Sequence, residues 1–324
     1  MDGLPAFALA RPESLAEAVR VLVAHPEGRI LAGGTDLIPN LRRGIGTPPV
    51  LVDLSAIAGL DAIEDAGGGL RIGACTTLAA LAGDSMVAER FPAVAEAARA
   101  VAAPGHRAVA TLGGNLCLDT RCVFYNQSEW WRRGNGYCLK HRGSVCHVAP
   151  QGERCHAAFS GDMAPAMMVL AAEVEIASAT GTRVIPLDAL YRDDGASHLT
   201  LAPWEIVSAV RIPATAGVRA GYRKARARGA IDFPLAGVAV ALAVEVGKLA
   251  SLRVAVTGTN SRPFVLEGVE ALLGRAPDGE AATKVGKLVE KQVRPMRSTA
   301  TAANYRRQVA AVLARRLFLG LACA

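Results

Sequence analysis

Residues 29–41 read Arg29-Ile30-Leu31-Ala32-Gly33-Gly34-Thr35-Asp36-Leu37-Ile38-Pro39-Asn40-Leu41. Arg29–Ala32 has the character of a short apolar strand, and it runs directly into a Gly-Gly turn. With no Cβ in the way, the backbone N–H groups of Gly33 and Gly34 can approach an anionic group, and Thr35 adds a hydroxyl donor. Such a turn can cradle a pyrophosphate, although an ordinary tight turn uses the same residues. It matches neither Gly-x-Gly-x-x-Gly nor the lysine-bearing phosphate loop. A second pair, in Thr111-Leu112-Gly113-Gly114-Asn115-Leu116, offers the same chemistry again.

Working outward, the chain alternates short strands and helices. Ser14 caps a helical period through Leu15, Ala18, Val19 and Leu22. Val50–Asp53 reads as a buried strand, Leu70–Gly73 as another, and Thr76–Leu81 as a threonine-capped helix. A helix from about 93 to 103 is stopped by Pro104-Gly105. Residues 117–159 show no clean periodicity, and Trp130-Trp131-Arg132-Arg133-Gly134 reads as an irregular loop. From about residue 213 the texture changes: Gly221–Ala227, Gly237–Val246 and Leu252–Thr257 read as antiparallel strands. Helical segments follow at Val265–Leu273, Glu280–Gln292 and Asn304–Leu319, which marks a separate C-terminal unit.

At 324 residues, 51% apolar and 20% charged, the chain is long enough for two or three small domains with a sizeable core. Its net charge of +7 is scattered, and aromatics are 5% with no basic stripe interleaved, so nucleic acid is not an expected partner. No stretch reaches the length of an uninterrupted apolar membrane span, and no targeting segment is visible at the start. A cytoplasmic protein with no membrane partner is the expectation.

Five of the seven cysteines fall between 117 and 155. In a cytosolic protein such clustering suggests metal rather than disulfides. Cys122, Cys138, Cys146 and Cys155 are separated by fifteen, seven and eight residues, which is neither a zinc-ribbon pattern nor the compact ferredoxin run. Spacing alone leaves structural zinc, an iron–sulfur cluster and free buried thiols open. Arg121, Lys140, Arg142 and Arg154 flank these positions and would offset negative cluster charge, with His141, His147 and His156 alongside.

Four motifs together carry a family resemblance: Ala32-Gly33-Gly34-Thr35-Asp36-Leu37, Ile72-Gly73-Ala74-Cys75-Thr76-Thr77, Thr111-Leu112-Gly113-Gly114-Asn115-Leu116-Cys117 and Gly161-Asp162-Met163-Ala164-Pro165-Ala166. They resemble the FAD-binding subunit of the molybdenum hydroxylases, the family of xanthine dehydrogenase and carbon monoxide dehydrogenase flavoproteins. The similarity continues through Tyr222-Arg223-Lys224 and Asp232-Phe233-Pro234. It implies an α+β fold in which a two-part N-terminal FAD-binding domain of PCMH type carries a cysteine-rich insertion. A C-terminal domain of antiparallel strands followed by helices completes it. The expected boundaries are 1–57 and 58–213 for the two FAD-binding subdomains, 117–158 for the insertion, and 214–324 for the C-terminal domain.

The insertion narrows the resemblance. Cys117-Leu118-Asp119-Thr120-Arg121-Cys122, Tyr125-Asn126-Gln127-Ser128-Glu129-Trp130-Trp131 and Gly136-Tyr137-Cys138-Leu139-Lys140 look like the β subunit of 4-hydroxybenzoyl-CoA reductase, whose extra loop holds a [4Fe–4S] cluster. On that resemblance Cys122, Cys138, Cys146 and Cys155 are the cluster ligands, while Cys75, Cys117 and Cys323 are not. FAD would lie on Arg29, Ile30, Leu31, Ala32, Gly33, Gly34, Thr35 and Asp36, with Thr76, Thr77, Thr111, Gly114, Asn115, Asp162 and Lys224 completing its contacts. Asp162 would anchor a polar edge of the cofactor, and Lys224 would bring positive charge near the flavin. Leu118 stands where relatives often carry a polar residue, so no flavin contact is assigned there.

The implied role is an electron-transfer subunit of an oxidoreductase. Ferredoxin electrons would pass through the [4Fe–4S] cluster and FAD to a small [2Fe–2S] subunit and a large molybdenum-cofactor subunit, in an (αβγ)₂ heterohexamer, for reductive dehydroxylation of 4-hydroxybenzoyl-CoA. The alternative is the FAD subunit of an oxidising hydroxylase of xanthine, aldehyde or CO dehydrogenase type with a structural zinc loop. No catalytic residue is expected on this chain, because substrate would bind a partner.

Overall fold

The computed structural model describes residues 3–323; Met1, Asp2 and Ala324, at the ends of the expected domains, lie outside the described residues. The first part comprises β1 (Ala8–Ala10), α1 (Leu15–Ala24), β2 (Arg29–Leu31), α2 (Leu37–Arg42) and β3 (Val50–Asp53). The strands form a parallel sheet of order β1-β3-β2, with Ala8 opposite Val50 and Ile30 opposite Val52. Val50, Leu51 and Val52 in the central strand are all buried, as a continuous apolar run in a parallel strand requires. Ser14 caps α1, its hydroxyl accepting from the Glu17 N–H at 3.2 Å, and Ala18, Val19 and Leu22 form the buried face.

The second part runs through β4 (Ile63–Ala66), β5 (Gly69–Gly73), α3 (Leu78–Gly83), α4 (Ser85–Arg90), α5 (Pro92–Ala100), α6 (Pro104–Arg107) and α7 (Leu112–Leu116). It continues through α8 (Glu129–Gly134), α9 (Met163–Met168), β6 (Glu173–Ser178), β7 (Gly181–Pro186) and β8 (Ile206–Ile212). Its five strands form an antiparallel sheet of order β4-β5-β8-β6-β7. Antiparallel pairing therefore begins well before the change of texture at about 213. Every residue of α9 is buried, which suits a helix that meets α5, α7 and the C-terminal strands on different sides.

The third part is β9 (Arg219–Ala225), β10 (Ala236–Glu245), β11 (Lys248–Thr257), β12 (Phe264–Val265), α10 (Gly279–Gln292) and α11 (Ala303–Cys323). Its antiparallel sheet has the order β12-β11-β10-β9. The near-continuous apolar run of β10 follows from burial on both faces. Val238, Val240 and Leu242 pack toward α10 and α11, while the small Ala239 and Ala241 face the core of the second part. This is the α+β fold the sequence implied.

Two readings differ in detail. Residues 265–273 form the end of β12 and a single 3₁₀ turn at Val269–Leu272, not a helix. The Trp130-Trp131 segment is a short helix, α8, capped by the Ser128 hydroxyl on the Trp131 N–H, where the sequence pattern predicts an irregular loop. Six residues are too few to display a helical period.

Candidate functional site

The Gly33-Gly34-Thr35 turn leaves β2 and enters α2. Among the described residues, the N–H groups of Gly33, Gly34 and Thr35 donate to no protein acceptor, and all three residues are part-exposed. Unspent, reachable backbone donors in a row are what a pyrophosphate needs. Gly34 takes φ +67°, and a Cβ on Gly33 would lie 1.9 Å from the Val109 carbonyl oxygen. That close approach sets the turn against Val109–Ala110, the turn that links α6 to the second glycine pair.

The second pair differs from the first. Leu112–Leu116 is the short helix α7, whose cap Thr111 accepts from the Gly114 N–H at 3.1 Å, while the Gly113 N–H donates to Ala74 at 2.7 Å. These donors are spent within the chain, so the second turn does not repeat the chemistry of the first. It packs instead: Thr77 and Thr111 form a bridge, and the Thr76 side chain is buried. Gly114 stays exposed at the surface of α7. Asn115 is buried and its Oδ1 accepts from the Met163 N–H at 3.0 Å, tying α7 to α9.

Asp162 precedes α9 and is buried with Lys224. Its Oδ2 lies 3.0 Å from Lys224 Nζ, and its Oδ1 accepts from the Tyr222 hydroxyl at 2.6 Å; Lys224 also donates to the Ala100 carbonyl at 3.1 Å. Burial pushes the Asp162 carboxyl up, and Lys224 and Tyr222 oppose that rise. The Lys224 charge is thus offset by Asp162 rather than standing free, because a lone buried ammonium would carry a large desolvation cost.

The four expected ligands come together. Cys122, Cys138, Cys146 and Cys155 are all buried and line one small pocket with Tyr125, His147 and Ala157. None of the seven cysteines is in a disulfide. Burial holds the Cys155 thiol up at about 12, against the Ala157 N–H, which donates to its sulfur at 3.4 Å. Burial raises Cys122 as well, against N–H groups of Phe124 and Tyr125. Cys117 is half-buried beyond α7, with its thiol pushed up to about 12; Cys75 rises to about 11, and Cys323 is exposed. Among the described residues no three cysteine, histidine or carboxylate side chains converge closely enough for a single ion. Tetrahedral zinc would draw thiolates to about 3.8 Å of one another.

Of the flanking cations Lys140 lines the thiol pocket and opposes the burial-driven rise of Cys155, yet all four are paired with carboxylates. Lys140 is spent on Asp119 at 2.6 Å, Arg154 on Asp193 at 2.9 Å, Arg142 on Glu129 at 3.7 Å, and Arg121 on Asp36. Each has a carboxylate within reach, and Coulomb attraction favours that over a thiol held neutral by burial. Arg121 also donates to Asn40 Oδ1 at 3.0 Å, and Asn40 to Asp36 Oδ2 at 3.1 Å. Arg132, 1% exposed, donates to the carbonyls of Gln127, Arg43 and Gly44 and to Glu129. These two arginines fasten the cysteine segment to both ends of α2. Sequence reading missed Asn40 and Arg132, since nothing in the pattern marks an arginine beside two tryptophans as buried.

Residues 5–215 match the family described as the FAD binding domain in molybdopterin dehydrogenase, and residues 220–321 match the CO dehydrogenase flavoprotein C-terminal domain. The chain belongs to the FAD-binding subunits of the molybdenum hydroxylases. As a member of this family it is an FAD-binding oxidoreductase subunit, and the free donors of Gly33–Thr35 fit the cofactor's pyrophosphate. The chain is 35% identical to the aldehyde oxidoreductase FAD-binding subunit PaoB of Escherichia coli K12, over 84% of this chain and 87% of that one. It is 30% identical to the carbon monoxide dehydrogenase medium chain of Afipia carboxidovorans, over 94% and 93%. The solved reconstituted CO dehydrogenase from Oligotropha carboxidovorans superposes with a TM-score of 0.81 at 28% identity, covering 100% of this chain and 99% of that one. No helix among the described residues is long and apolar enough to cross a membrane.

Proposed function

We propose that this chain is the electron-transferring FAD subunit of an oxidising molybdenum hydroxylase of aldehyde oxidoreductase type, and that Cys122, Cys138, Cys146 and Cys155 hold a [4Fe–4S] cluster. The observation that carries the reading is a turn of unspent N–H donors tied, through Asp36–Arg121 and Arg132, to a pocket lined by four buried thiols. Four buried thiols lining one shared pocket are the ligand set that a [4Fe–4S] cluster takes. The likeness to an aldehyde oxidoreductase subunit and to CO dehydrogenase medium chains supports oxidation over the reductive 4-hydroxybenzoyl-CoA role. On this reading electrons leave substrate rather than arriving from ferredoxin.

When bound, FAD supplies the exchange between two-electron and one-electron chemistry. The chain's part is to hold it: Gly33, Gly34 and Thr35 donate to the pyrophosphate, and Asn115 and the Asp162–Tyr222–Lys224 group fix the walls between α7, α9 and β9. The partners in this reading are a large molybdenum subunit, which binds substrate, and a small [2Fe–2S] subunit. A cytoplasmic (αβγ)₂ assembly belongs to the same proposal.

Anaerobic purification of the complex tests it. Iron and acid-labile sulfide in this chain at about four each, lost in Cys138→Ser while FAD supplied in excess still binds, are the expected result. One zinc with no sulfide would sink the cluster. Addition of an aldehyde should bleach the flavin absorption without any reduced ferredoxin. Bleaching by reduced ferredoxin alone would restore the reductive reading.

A further inference from the structure

A groove on the C-terminal domain lies outside the flavin and cysteine regions. It is an open cavity of about 370 Å³ between α10 and the 3₁₀ turn at Val269–Leu272. Lys284, Lys287 and Lys291, with Leu288 among them, line it from α10, opposite Ala271 and Arg275. The spacing i, i+3, i+7 puts the three lysines on one helix face, along about 10 Å. The opposite face of α10, with Ala281, Ala282, Val285 and Val289, is buried in the domain core.

The four cations are poorly compensated from within. Lys284 pairs with Glu280 at 2.6 Å. Among the described residues Arg275, Lys287 and Lys291 have no carboxylate within ion-pair distance. Like charges three and four residues apart cost a helix a few tenths of a kcal/mol each. The floor between them is apolar, with Leu288 half-buried and Ala271 exposed, and the neighbouring Leu273 is 42% exposed. Gly268, at φ +83°, approaches Leu288 closely: a Cβ there would lie 3.4 Å from its side chain.

We infer that this groove receives an acidic segment of another polypeptide, one that sets an apolar side chain against Leu288 and Ala271 and carboxylates against Lys287, Lys291 and Arg275. An apolar floor inside a charged rim is the anatomy of a protein–protein contact. A small anion is a poorer match, since the cations are strung along the helix and the groove offers no aromatic face or cluster of inward N–H donors to orient one. A second copy of this chain is disfavoured by its net charge of +7. The inference rests on the proposed function only in taking the acidic polypeptide to be a partner subunit of the hydroxylase.

The test uses the assembled complex. Carbodiimide coupling joins a lysine amine to a carboxylate in direct contact, with loss of water. The expected products join Lys287 or Lys291 to an Asp or Glu of another polypeptide. The Lys287→Glu/Lys291→Glu double variant should weaken retention of that polypeptide roughly tenfold or more, with FAD per chain unchanged. Couplings confined to this chain's own carboxylates, or unchanged retention, would overturn the inference. So would inorganic pyrophosphate shielding these lysines from acetylation in the isolated chain as fully as the complex does. FAD and molybdenum content, read on the same sample, report separately on the functional reading.

Discussion

Gly33 and Gly34 are adjacent and chemically identical, yet the structure separates what each does. A Cβ on Gly33 would meet the Val109 carbonyl at 1.9 Å, whereas on Gly34 the nearest atoms are flexible side chains at 3.2 Å and the constraint is φ +67°. Gly34→Ala should therefore cost about 1 kcal/mol of stability through the left-handed backbone alone. Gly33→Ala should cost about 3 kcal/mol and displace the turn from Val109–Ala110, with FAD content falling accordingly. Thermal melts and flavin absorbance per chain check both. The sequence marked the pair but could not rank its members, because the clash is with a residue 76 positions away. Glu175 carries a pH signature of the same local kind. It accepts from Arg71 at 2.9 Å and from Arg211 at 2.5 Å across β5, β8 and β6, and the Arg71 bond, then Arg211, holds its carboxyl below the usual range. A depressed folded-state value means stability that is present above the ordinary glutamate pKa and is lost as pH falls through the depressed one. Glu175→Gln should cost about 1–2 kcal/mol near neutral pH, since both arginines are part-exposed, and the gap to wild type should close on acidification.

At the scale of elements, α11 is held by an arginine. Arg306 is fully buried and donates to the carbonyls of Leu235 at 3.1 Å, Met296 at 3.1 Å and Gly258, with burial pulling its guanidinium down to about 10. Arg306→Met should cost about 3 kcal/mol by leaving these carbonyls unpaired, and Arg306→Lys should recover only part, because one ammonium cannot reach three carbonyls set apart. Urea midpoints read the difference. Nothing about Arg306 stood out in the sequence, where it is one of two adjacent arginines in a helical run. Long or strongly patterned elements were legible: α1 through its serine cap, β3 through its apolar run, and β9, β10 and β11 through their length. What escaped was short. The second Gly-Gly pair reads as a turn and folds as one turn of helix, α7, because the Thr111 hydroxyl supplies the cap that glycine propensity argues against. The unpatterned cysteine stretch hid α8. Its four thiols were legible as a set from their clustering, whereas their common pocket depends on contacts with Tyr125, His147 and Ala157 that no local pattern encodes.

For the whole molecule, the question is whether the cysteine segment and the flavin turn are independent sites on one scaffold. The structure ties both ends of α2 to the cysteine segment. Asp36, next to Thr35 of the flavin turn, is paired to Arg121, the neighbour of Cys122; the carbonyls of Arg43 and Gly44 at the far end accept from Arg132 at 3.1 and 2.9 Å. Any change in the pocket that moves Arg121 or Arg132 therefore acts on the turn whose free N–H groups are proposed to hold the pyrophosphate. Binding free energies linked in this way are reciprocal and typically couple by about 1–3 kcal/mol, or 5- to 150-fold in affinity. Loss of the proposed cluster in Cys138→Ser should weaken FAD binding by a factor in that range, measured by titrating FAD into flavin-free protein. Arg132→Met should weaken it to a similar extent, and Arg132→Lys less. Combining Cys138→Ser with Arg132→Met should then add little, because the second change cuts a link the first has already slackened. Full additivity would mean that the two sites share a scaffold but no coupling. A destabilised fold is told apart from lost coupling by circular dichroism, which should match wild type in every variant at the temperature of the titration.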